Sequence, residues 1–311
     1  MSGVKLYARK IGSLGILLML SLLVLAACGS TSNNTNTASS SNPNCHKVSL
    51  SQVNLGVIPS ENATKVMDTT RPFADELSRQ LCGVKVNLTV GTSYSATITA
   101  MSSQKVDVAW FGPFSYVLAA DKYNAQAILR QLSADGSDHY QSYIVTTPKT
   151  GINSLQGLKG HSFSFVDPAS TSGNLIPRYT MVKNGLNPDK DVKGIFSGSH
   201  DLSLLAVING KVDAGAVASD TFAALVKQGK VKESDVKIIS KSDPIPNSPI
   251  AVRKELSQSD KDAIRDAFVA IKDQKLLEPM NAGGFRPDTD STYNNLRDVA
   301  RSLNLDLTKL K

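Results

Sequence analysis

The stretch SYSATITAMSSQKVD at positions 93–107 recurs 106 residues later as SHDLSLLAVINGKVD at positions 199–213. Each copy predicts a helix, a short turn and then Lys-Val-Asp leading into a strand of small and apolar residues. One such unit repeated a single time indicates two similar lobes, because solenoids stack several short repeats. The aspartates that end the copies, Asp107 and Asp213, fit hydrogen bonding in a turn or at a strand end better than ligand binding.

Strand patterns alternate with amphipathic helix patterns throughout the region that follows residue 44. This order is typical of an α/β fold, in which each lobe has a mostly parallel sheet flanked by helices. We expect the first lobe to comprise residues 45–145 and 249–311, and the second lobe to comprise residues 146–248.

Two lobes built this way require the chain to cross between them twice. We expect the first crossing near residues 142–147 and the second near residues 242–253. Pro244, Pro246 and Pro249 enforce an extended chain at the second crossing. Two crossings predict a hinge between the lobes.

The segment VDPASTSGN at positions 166–174 predicts an oxyanion site in the second lobe. It precedes a helix-like stretch at positions 175–182. The first N–H groups of a helix lack intrahelical partners and lie at the positive end of its dipole, so they favour an anion. Ser170, Thr171 and Ser172 add hydroxyl donors. The alternative is an ordinary helix cap, for which Ser and Thr are common.

The internal repeat aligns Tyr94 with His200, each at the start of its helix. If the lobes face each other, these side chains lie across one cleft, where ligands bind in open α/β sheets. The polar neighbours of Tyr94 favour a cleft position over a core position. His200 suits an oxyanion both as a neutral donor and as a cation, and an ordinary helix-start role is its alternative.

The amino-terminal segment has the pattern of an export signal. Residues 1–27 carry three basic residues and no acidic one, and an apolar run ends at Leu-Ala-Ala-Cys-Gly. This end resembles the bacterial lipobox, which implies cleavage before Cys28 and lipidation of that residue. An uncleaved anchor or a simple export signal is the alternative, but the run is short for a membrane span. We therefore expect a lipid-anchored protein on the extracytoplasmic face of the cell membrane.

A flexible tether is predicted between the lipid anchor and the folded lobes, in the segment 28–44. Residues 29–44 are nearly all Ser, Thr, Asn, Ala and Gly, which cannot bury a core. A chain of this length and composition reaches about 20–25 Å. It would lift the folded lobes just clear of the membrane surface.

The net charge is +7 for the whole chain and +4 after residues 1–27 are removed. Lys and Arg occur in pairs at most, without a larger cluster. A mild positive excess suits an anionic ligand and does not indicate nucleic acid. The four histidines lack metal-ligand spacing, so neither a metal nor a cofactor is expected.

Cys45 and Cys82 each lie just before a strand candidate, at positions 48–58 and 84–90. If these strands are parallel neighbours, both cysteines lie at the same edge of a sheet. Export makes a disulfide chemically possible. We predict a Cys45–Cys82 bond, with two separate thiols as the alternative.

Five segments together resemble one family, the solute-binding proteins of phosphonate, phosphite and phosphate ABC importers. Their order and spacing are specific, whereas each segment alone is weak. The segments are LGVIP at 55–59, VDVAWFGP at 106–113, DPASTSG at 167–173, SGSHD at 197–201 with VDAG at 212–215, and PIPNSP at 244–249. The lipobox agrees with this resemblance, because such proteins are often tethered to the membrane.

The resemblance implies a two-lobed periplasmic-binding-protein fold of the second type and a set of ligand contacts. Ser170, Thr171 and Ser172 match the turn that holds the phosphonate oxygens. Tyr94 and His200 match contacts that reach the ligand from opposite lobes.

Three further positions are implied by the resemblance. Tyr116 matches a second cleft tyrosine, and Asp220 lies where aminoalkylphosphonate binders use an acid to meet an ammonium group. Ser248 stands where the family often has an Asp near the ligand's amino tail. The missing charge disfavours 2-aminoethylphosphonate and favours phosphite, methylphosphonate or phosphate.

The expected function is ligand capture by hinge closure, followed by delivery to a membrane ABC permease by a monomeric protein. A hydrolase is the competing class, since Ser170, His200 and Asp201 supply its residue types. However, the adjacent His200 and Asp201 would diverge, and no nucleophile elbow, phosphate loop or metal spacing is present. A third possibility keeps the fold but binds another anion, such as a sulfonate, or serves a sensor kinase.

Overall fold

A computed structural model describes residues 44–305 of the chain. The predicted signal 1–27, the lipidation site Cys28 and all but the last residue of the tether lie outside the described residues. None of the helices within residues 44–305 combines the length and the apolar character that crossing a membrane requires.

The strands of the described region belong to three sheets. They are β1 (Gln52–Val57), β2 (Lys85–Val90), β3 (Val108–Trp110), β4 (Gln126–Leu132), β5 (His139–Tyr140), β6 (Ser142–Thr146), β7 (Ser162–Phe165), β8 (Lys193–Phe196), β9 (Ala214–Ala218), β10 (Lys237–Lys241), β11 (Ile245–Pro246), β12 (Pro249–Val252) and β13 (Gly284–Pro287).

The helices of the described region flank these sheets. They are α1 (Ala63–Gln80), α2 (Tyr94–Ser102), α3 (Pro113–Tyr123), α4 (Ile176–Lys183), α5 (His200–Ile208), α6 (Ser219–Lys227), α7 (Gln258–Ala270), α8 (Gln274–Leu277) and α9 (Asn294–Ser302). A π-helical turn, Thr171–Leu175, leads directly into α4.

Two large sheets define the two lobes, as predicted. The first lobe has the strand order β13-β4-β12-β3-β1-β2, and the second lobe has the order β10-β6-β9-β7-β8. Both sheets are mixed, so the prediction of mostly parallel sheets is wrong. Only β2-β1-β3 and β8-β7-β9 run parallel. The other pairings are antiparallel: β4, β6, β10 and β12 lie next to the two crossings between the lobes, and β13 pairs with β4 at the edge of the first sheet.

The internal repeat corresponds to one structural unit in each lobe. In the first lobe α2 leads into β3, which pairs with β1. In the second lobe α5 leads into β9, which pairs with β7. The repeated aspartates join these strands in the same way. Asn54 N donates to Asp107 Oδ2 at 2.8 Å, and Ser162 N donates to Asp213 Oδ2 at 2.9 Å. Their predicted structural role is confirmed.

The hinge is a small antiparallel ladder in which Tyr140 of β5 pairs with Ile245 of β11. The second crossing lies within the predicted region 242–253. The first crossing lies earlier than predicted, because residues 142–146 already form β6 of the second sheet. The expected lobe boundary at residue 145 therefore falls inside a strand.

A disulfide joins Cys45 and Cys82, whose Cα atoms are 5.0 Å apart. This is the pairing that the sequence predicts. The strands that follow the two cysteines, β1 and β2, are parallel neighbours from Gln52 and Lys85 onward. The bond ties the amino terminus of the folded region to the edge of the first sheet.

Candidate functional site

A cavity of about 120 Å³ lies between the two lobes. Six of the predicted ligand-binding residues line it. They are Tyr94, Ser170, Ser172, His200, Asp220 and Ser248. The volume suits a small ligand, because pockets for drug-sized molecules start at about 300 Å³.

The turn that holds Ser170 and Ser172 is the helix start that the sequence predicts. Ser170 is the N-cap, and its Oγ accepts from Gly173 N at 3.1 Å. The next residues form the π-turn, a feature that is frequent at functional sites. The turn lies at the positive end of the helix formed by this turn and α4, which favours an anion. Both serines are buried and line the cavity.

Gly173 allows this turn to form. A Cβ at this position would overlap the side chain of Val166 and lie 2.8 Å from Ser170 Oγ. We expect Gly173→Ala to displace the turn, to lower stability by about 1–3 kcal/mol and to abolish tight ligand binding. Calorimetric titration and thermal denaturation measure the two effects.

Gly157→Ala is the matched control for Gly173→Ala, because a Cβ there meets Ile152 Cγ2 at an ordinary 3.4 Å. This control should keep both ligand binding and stability. Normal ligand binding by Gly173→Ala would show that the turn does not need its close packing.

Tyr94 places an unpartnered hydroxyl in the cavity. The side chain is 2% exposed, and its hydroxyl has no hydrogen-bond partner within residues 44–305. Burial raises the pKa of Tyr94 well above its ordinary value, and the charges of Asp167 and Asp220 add to this shift. Ser170 lies beside the hydroxyl and opposes the shift, but the pair falls short of hydrogen-bond geometry. Tyr94 therefore remains a protonated donor that lacks an acceptor in the described part of the chain.

His200 is held as a neutral donor. Its Nδ1 accepts from Ala218 N at 3.1 Å, so the ring proton lies on Nε2. Nε2 lies 3.4 Å from Ser172 Oγ at the cavity. Burial lowers the pKa of His200 to about 4, although Asp201 opposes this shift. The sequence left the charge open, and the structure assigns the neutral form at neutral pH.

The low pKa of His200 has a consequence for stability. In the unfolded chain the ring titrates near 6.5, so between this pH and about 4 the unfolded state binds more protons than the folded state. Stability should therefore fall as the pH decreases through this window, by about 3 kcal/mol. Denaturant unfolding at several pH values measures this slope. His200→Gln should flatten it, and an unchanged slope in that variant would contradict the assignment.

The hydrolase interpretation fails at Asp201. Its carboxylate accepts from Ser199 Oγ, from Leu202 N and from Asn62 N. It does not contact the imidazole of His200, whose Nδ1 is occupied by a backbone amide. The Ser-His-Asp relay is not assembled.

Tyr116 does not belong to the cleft, contrary to the prediction. It is fully buried in the first lobe, where its hydroxyl donates to Asp290 Oδ1 at 2.7 Å and accepts from Ala127 N at 3.2 Å. The second tyrosine that lines the cavity is Tyr140 of the hinge strand β5, which the sequence analysis missed. Ser172 and Thr171 lie beside its hydroxyl, and burial raises its pKa.

Thr171 joins the two lobes instead of lining the cavity. Phe114 N, in the first turn of α3, donates to Thr171 Oγ1 at 2.8 Å. The side chain thus caps a helix of the opposite lobe, and it is 2% exposed. Thr171 lies in the predicted turn, but its hydroxyl, which was predicted to contact the ligand, accepts a hydrogen bond from the protein itself.

Three further hydrogen bonds connect the lobes around the cavity. Tyr94 N donates to Asp167 Oδ2 at 3.4 Å, Asn62 N donates to Asp201 Oδ2 at 3.1 Å, and His200 N donates to Ser60 O at 2.9 Å. Together with the Thr171 contact, these bonds show a closed arrangement of the lobes.

Acidic groups lie at the same cavity. Asp220 lines it from the first turn of α6, Lys65 lines it from the first turn of α1, and Glu61 lines it from just before the N-cap of α1. Lys65 Nζ bonds Glu61 Oε2. Burial raises the pKa of Asp220, and the charge of Glu61 adds to this shift. Ser248 lines the cavity without charge, and its carbonyl accepts from Gln131 N at 3.0 Å.

No group of three or more His, Cys, Asp or Glu side chains within residues 44–305 is arranged to hold a metal ion. The chemistry of the cavity is that of neutral hydroxyl, imidazole and amide donors, with carboxylates nearby.

Comparison with known proteins agrees with this geometry. The family described as "ABC transporter, phosphonate, periplasmic substrate-binding protein" matches residues 55–293. The chain is 33% identical to the phosphonates-binding periplasmic protein of Escherichia coli, over 80% of this chain and 75% of that one. It is 31% identical to the phosphate-import protein PhnD of Mycolicibacterium smegmatis, over 79% and 84% of the two chains.

A solved structure shows the same fold. It is PhnD1 from Prochlorococcus marinus in complex with methylphosphonate, with a TM-score of 0.74, 25% identity, and coverage of 82% of this chain and 98% of that one. The family match spans most of the chain and includes both lobes, the turn at 170–172 and the cavity. This chain belongs to the family of periplasmic substrate-binding proteins of phosphonate ABC transporters.

Proposed function

We propose that this protein captures a small phosphorus oxyanion, such as phosphite, methylphosphonate or phosphate, in its interlobe cavity and delivers it to an ABC permease. The observation that carries this proposal is the Tyr94 hydroxyl, which is buried at the cavity and has no acceptor among residues 44–305. A buried donor of this kind costs free energy unless a ligand satisfies it. An oxyanion is the complementary group.

Neutral donors would hold the oxyanion. Tyr94, Ser170, Ser172 and the Nε2–H of His200 lie at the cavity, together with the start of the helix that follows Ser170. Donors that are fixed in a site of low dielectric constant interact strongly with an anion, even without a full positive charge. His200 keeps its role over the physiological range because it stays neutral.

Lobe closure would couple binding to transport. The donors come from both lobes, since Tyr94 begins α2 of the first lobe and His200 begins α5 of the second. A ligand that bridges them stabilises the closed form relative to the open form. The closed form would then dock on the permease. As a member of a binding-protein family, the chain carries out no chemical step.

Two features support a ligand without an ammonium group. Ser248 contributes no charge at the cavity, and Glu61 is paired with Lys65. The relatives differ in the ligand that their names state: phosphonates in Escherichia coli, phosphate in Mycolicibacterium smegmatis and phosphite in Prochlorococcus marinus. The small cavity favours the compact members of this group.

The proposed location is the extracytoplasmic face of the membrane, with a lipid anchor at Cys28 and a monomeric folded region. The Leu25-Ala26-Ala27-Cys28-Gly29 sequence and the tether behind it support the anchor. Mass spectrometry of the protein from membranes would detect the diacylglyceryl modification, and a Cys28→Ala variant should be released from the membrane. An unmodified Cys28 would contradict the anchor but not the ligand.

Calorimetric titration tests the ligand. Phosphite, methylphosphonate, phosphate, 2-aminoethylphosphonate and sulfate would be added separately to the purified protein. We expect tight binding of at least one phosphorus oxyanion without turnover. Failure of all phosphorus oxyanions to bind would overturn the proposal.

A further inference from the structure

The described residues that line the cavity include more acidic than basic side chains. Glu61, Lys65 and Asp220 are the charged groups among its described lining residues. Lys65 is bonded to Glu61, so the one Lys or Arg among the described lining residues is already paired with a carboxylate. Asp220 has no compensating cation among these residues, and burial and the charge of Glu61 raise its pKa. A negative charge without a paired cation would repel an anionic ligand, unless the ligand offers it a proton.

Asp220 has one oxygen available to a ligand. Its Oδ1 accepts from Thr221 N at 2.7 Å, and within residues 44–305 its Oδ2 has no hydrogen-bond partner. The charge of Asp220 raises the pKa of both Tyr94 and Tyr140, so the carboxylate lies near the two tyrosines that line the cavity. It is therefore close to the position where the oxyanion would lie.

A carboxylate is only an acceptor when it is ionised. Beside a fully ionised oxyanion, the carboxylate oxygen would face a ligand oxygen that is also a negatively charged acceptor. Such a juxtaposition of like charges is strongly unfavourable. Beside an oxyanion that still carries a proton it would accept a short, charge-assisted hydrogen bond. Phosphonate, phosphite and phosphate retain a P–OH group near neutral pH, whereas sulfate and sulfonates do not.

We propose that Asp220 makes this cavity selective for an oxyanion that carries a P–OH proton, and that it thereby excludes sulfate and sulfonates. This inference rests on the proposed phosphorus-oxyanion function and names the feature that sets its specificity. In this proposal Asp220 accepts a hydrogen bond from the P–OH group of the ligand and does not contact an amino group. Asp220 selects the protonation state of the ligand, while the neutral donors hold its other oxygens.

Hydrogen methylphosphonate and methanesulfonate test the proposal directly. Both are monoanions of almost the same shape, and only the first carries a proton. We expect the wild-type protein to prefer methylphosphonate at about pH 6, and Asp220→Asn to reduce this preference roughly 10- to 100-fold. The amide can donate to a sulfonate oxygen, so binding of methanesulfonate should increase in this variant.

Glu61→Gln is the matched control, because it removes a carboxylate from the same cavity without removing the proposed acceptor. It frees Lys65, which would attract both monoanions alike. The ratio of the two affinities should therefore stay at the wild-type value.

The pH profile of the wild-type protein tests the proposal without any variant. Above the second ionisation of methylphosphonate the P–OH form is depleted, so the affinity should fall by about tenfold per pH unit. Asp220 shares the cavity with Glu61 just before α1, Lys65 on α1, Tyr94 on α2, Tyr140 on β5 and His200 on α5. His200 stays neutral and both tyrosines stay protonated between about pH 6 and 9.

The possible outcomes separate the two proposals. If no phosphorus oxyanion binds, the proposed function fails. If methylphosphonate binds but methanesulfonate binds equally well, or Asp220→Asn keeps the wild-type ratio, only the selectivity proposal is overturned. It is also overturned if 2-aminoethylphosphonate binds far more tightly than methylphosphonate and Asp220→Asn removes that advantage, because Asp220 then meets an ammonium group.

Discussion

Replacing Tyr94 by Phe should weaken the binding of a phosphorus oxyanion roughly 10- to 100-fold, because a hydrogen bond to a charged group contributes about 1.5–3 kcal/mol. The same change should leave the stability of the unliganded protein unchanged or slightly higher. The hydroxyl has no partner within residues 44–305, and its removal relieves a buried unsatisfied group. Calorimetric titration and thermal denaturation measure the two effects.

Tyr116→Phe is the matched control for this prediction. The Tyr116 hydroxyl is satisfied by Asp290 and by Ala127 N, away from the cavity. Its loss should lower stability by about 1–3 kcal/mol and leave ligand affinity unchanged. Tyr94→Phe and Tyr116→Phe should therefore show opposite patterns. A loss of stability in Tyr94→Phe with normal binding would show that its hydroxyl is structural.

The two-lobed fold could be predicted because the segment at 93–107 recurs once, at 199–213, and each copy forms the same helix–strand unit in one lobe. The same alignment identified Tyr94 and His200, since equivalent helix starts in two facing lobes reach one cleft. The turn at 170–172 could also be predicted, because Ser170 caps it through a local hydrogen bond that the sequence specifies. The mixture of parallel and antiparallel strands could not be predicted, because the sequence of a strand that lies next to a crossing does not show in which direction it pairs.

Tyr140 and Tyr116 show why the second tyrosine was misassigned. Every residue from 113 to 119 in α3 is buried, so no periodic pattern indicates which face of this helix looks toward the cavity. Tyr140 belongs to a strand of two residues at the hinge, too short for a periodic signal. Its position depends on pairing with β11, more than 100 residues later.

The surroundings of Asp220 depend on contacts between the lobes. Glu61 and Lys65 come from the first lobe and Asp220 from the second, and only the closed arrangement brings them to one cavity. The sequence therefore identified Asp220 but not the paired charges beside it. The same holds for Thr171, whose residue type was read as a ligand donor although its partner is a helix of the opposite lobe.

Thr171→Val should weaken the binding of every ligand of the cleft by a similar factor, about 5- to 100-fold. The substitution removes the acceptor of Phe114 N, which is a buried donor in the closed form. Leaving it unsatisfied costs about 1–3 kcal/mol, whereas in an open form water can replace the lost hydroxyl. The closed population therefore falls, and the apparent affinity falls with it.

Two measurements distinguish this closure effect from a lost ligand contact. Small-angle scattering of the unliganded protein should show a larger radius of gyration for Thr171→Val than for the wild type. Thr171→Ser keeps the hydroxyl and should restore both compactness and affinity. A variant that stays compact but binds one oxyanion selectively worse would instead assign the Thr171 hydroxyl to the ligand. The closure role follows because the Thr171 hydroxyl accepts from Phe114 N of the opposite lobe, so its removal should weaken the contact between the lobes.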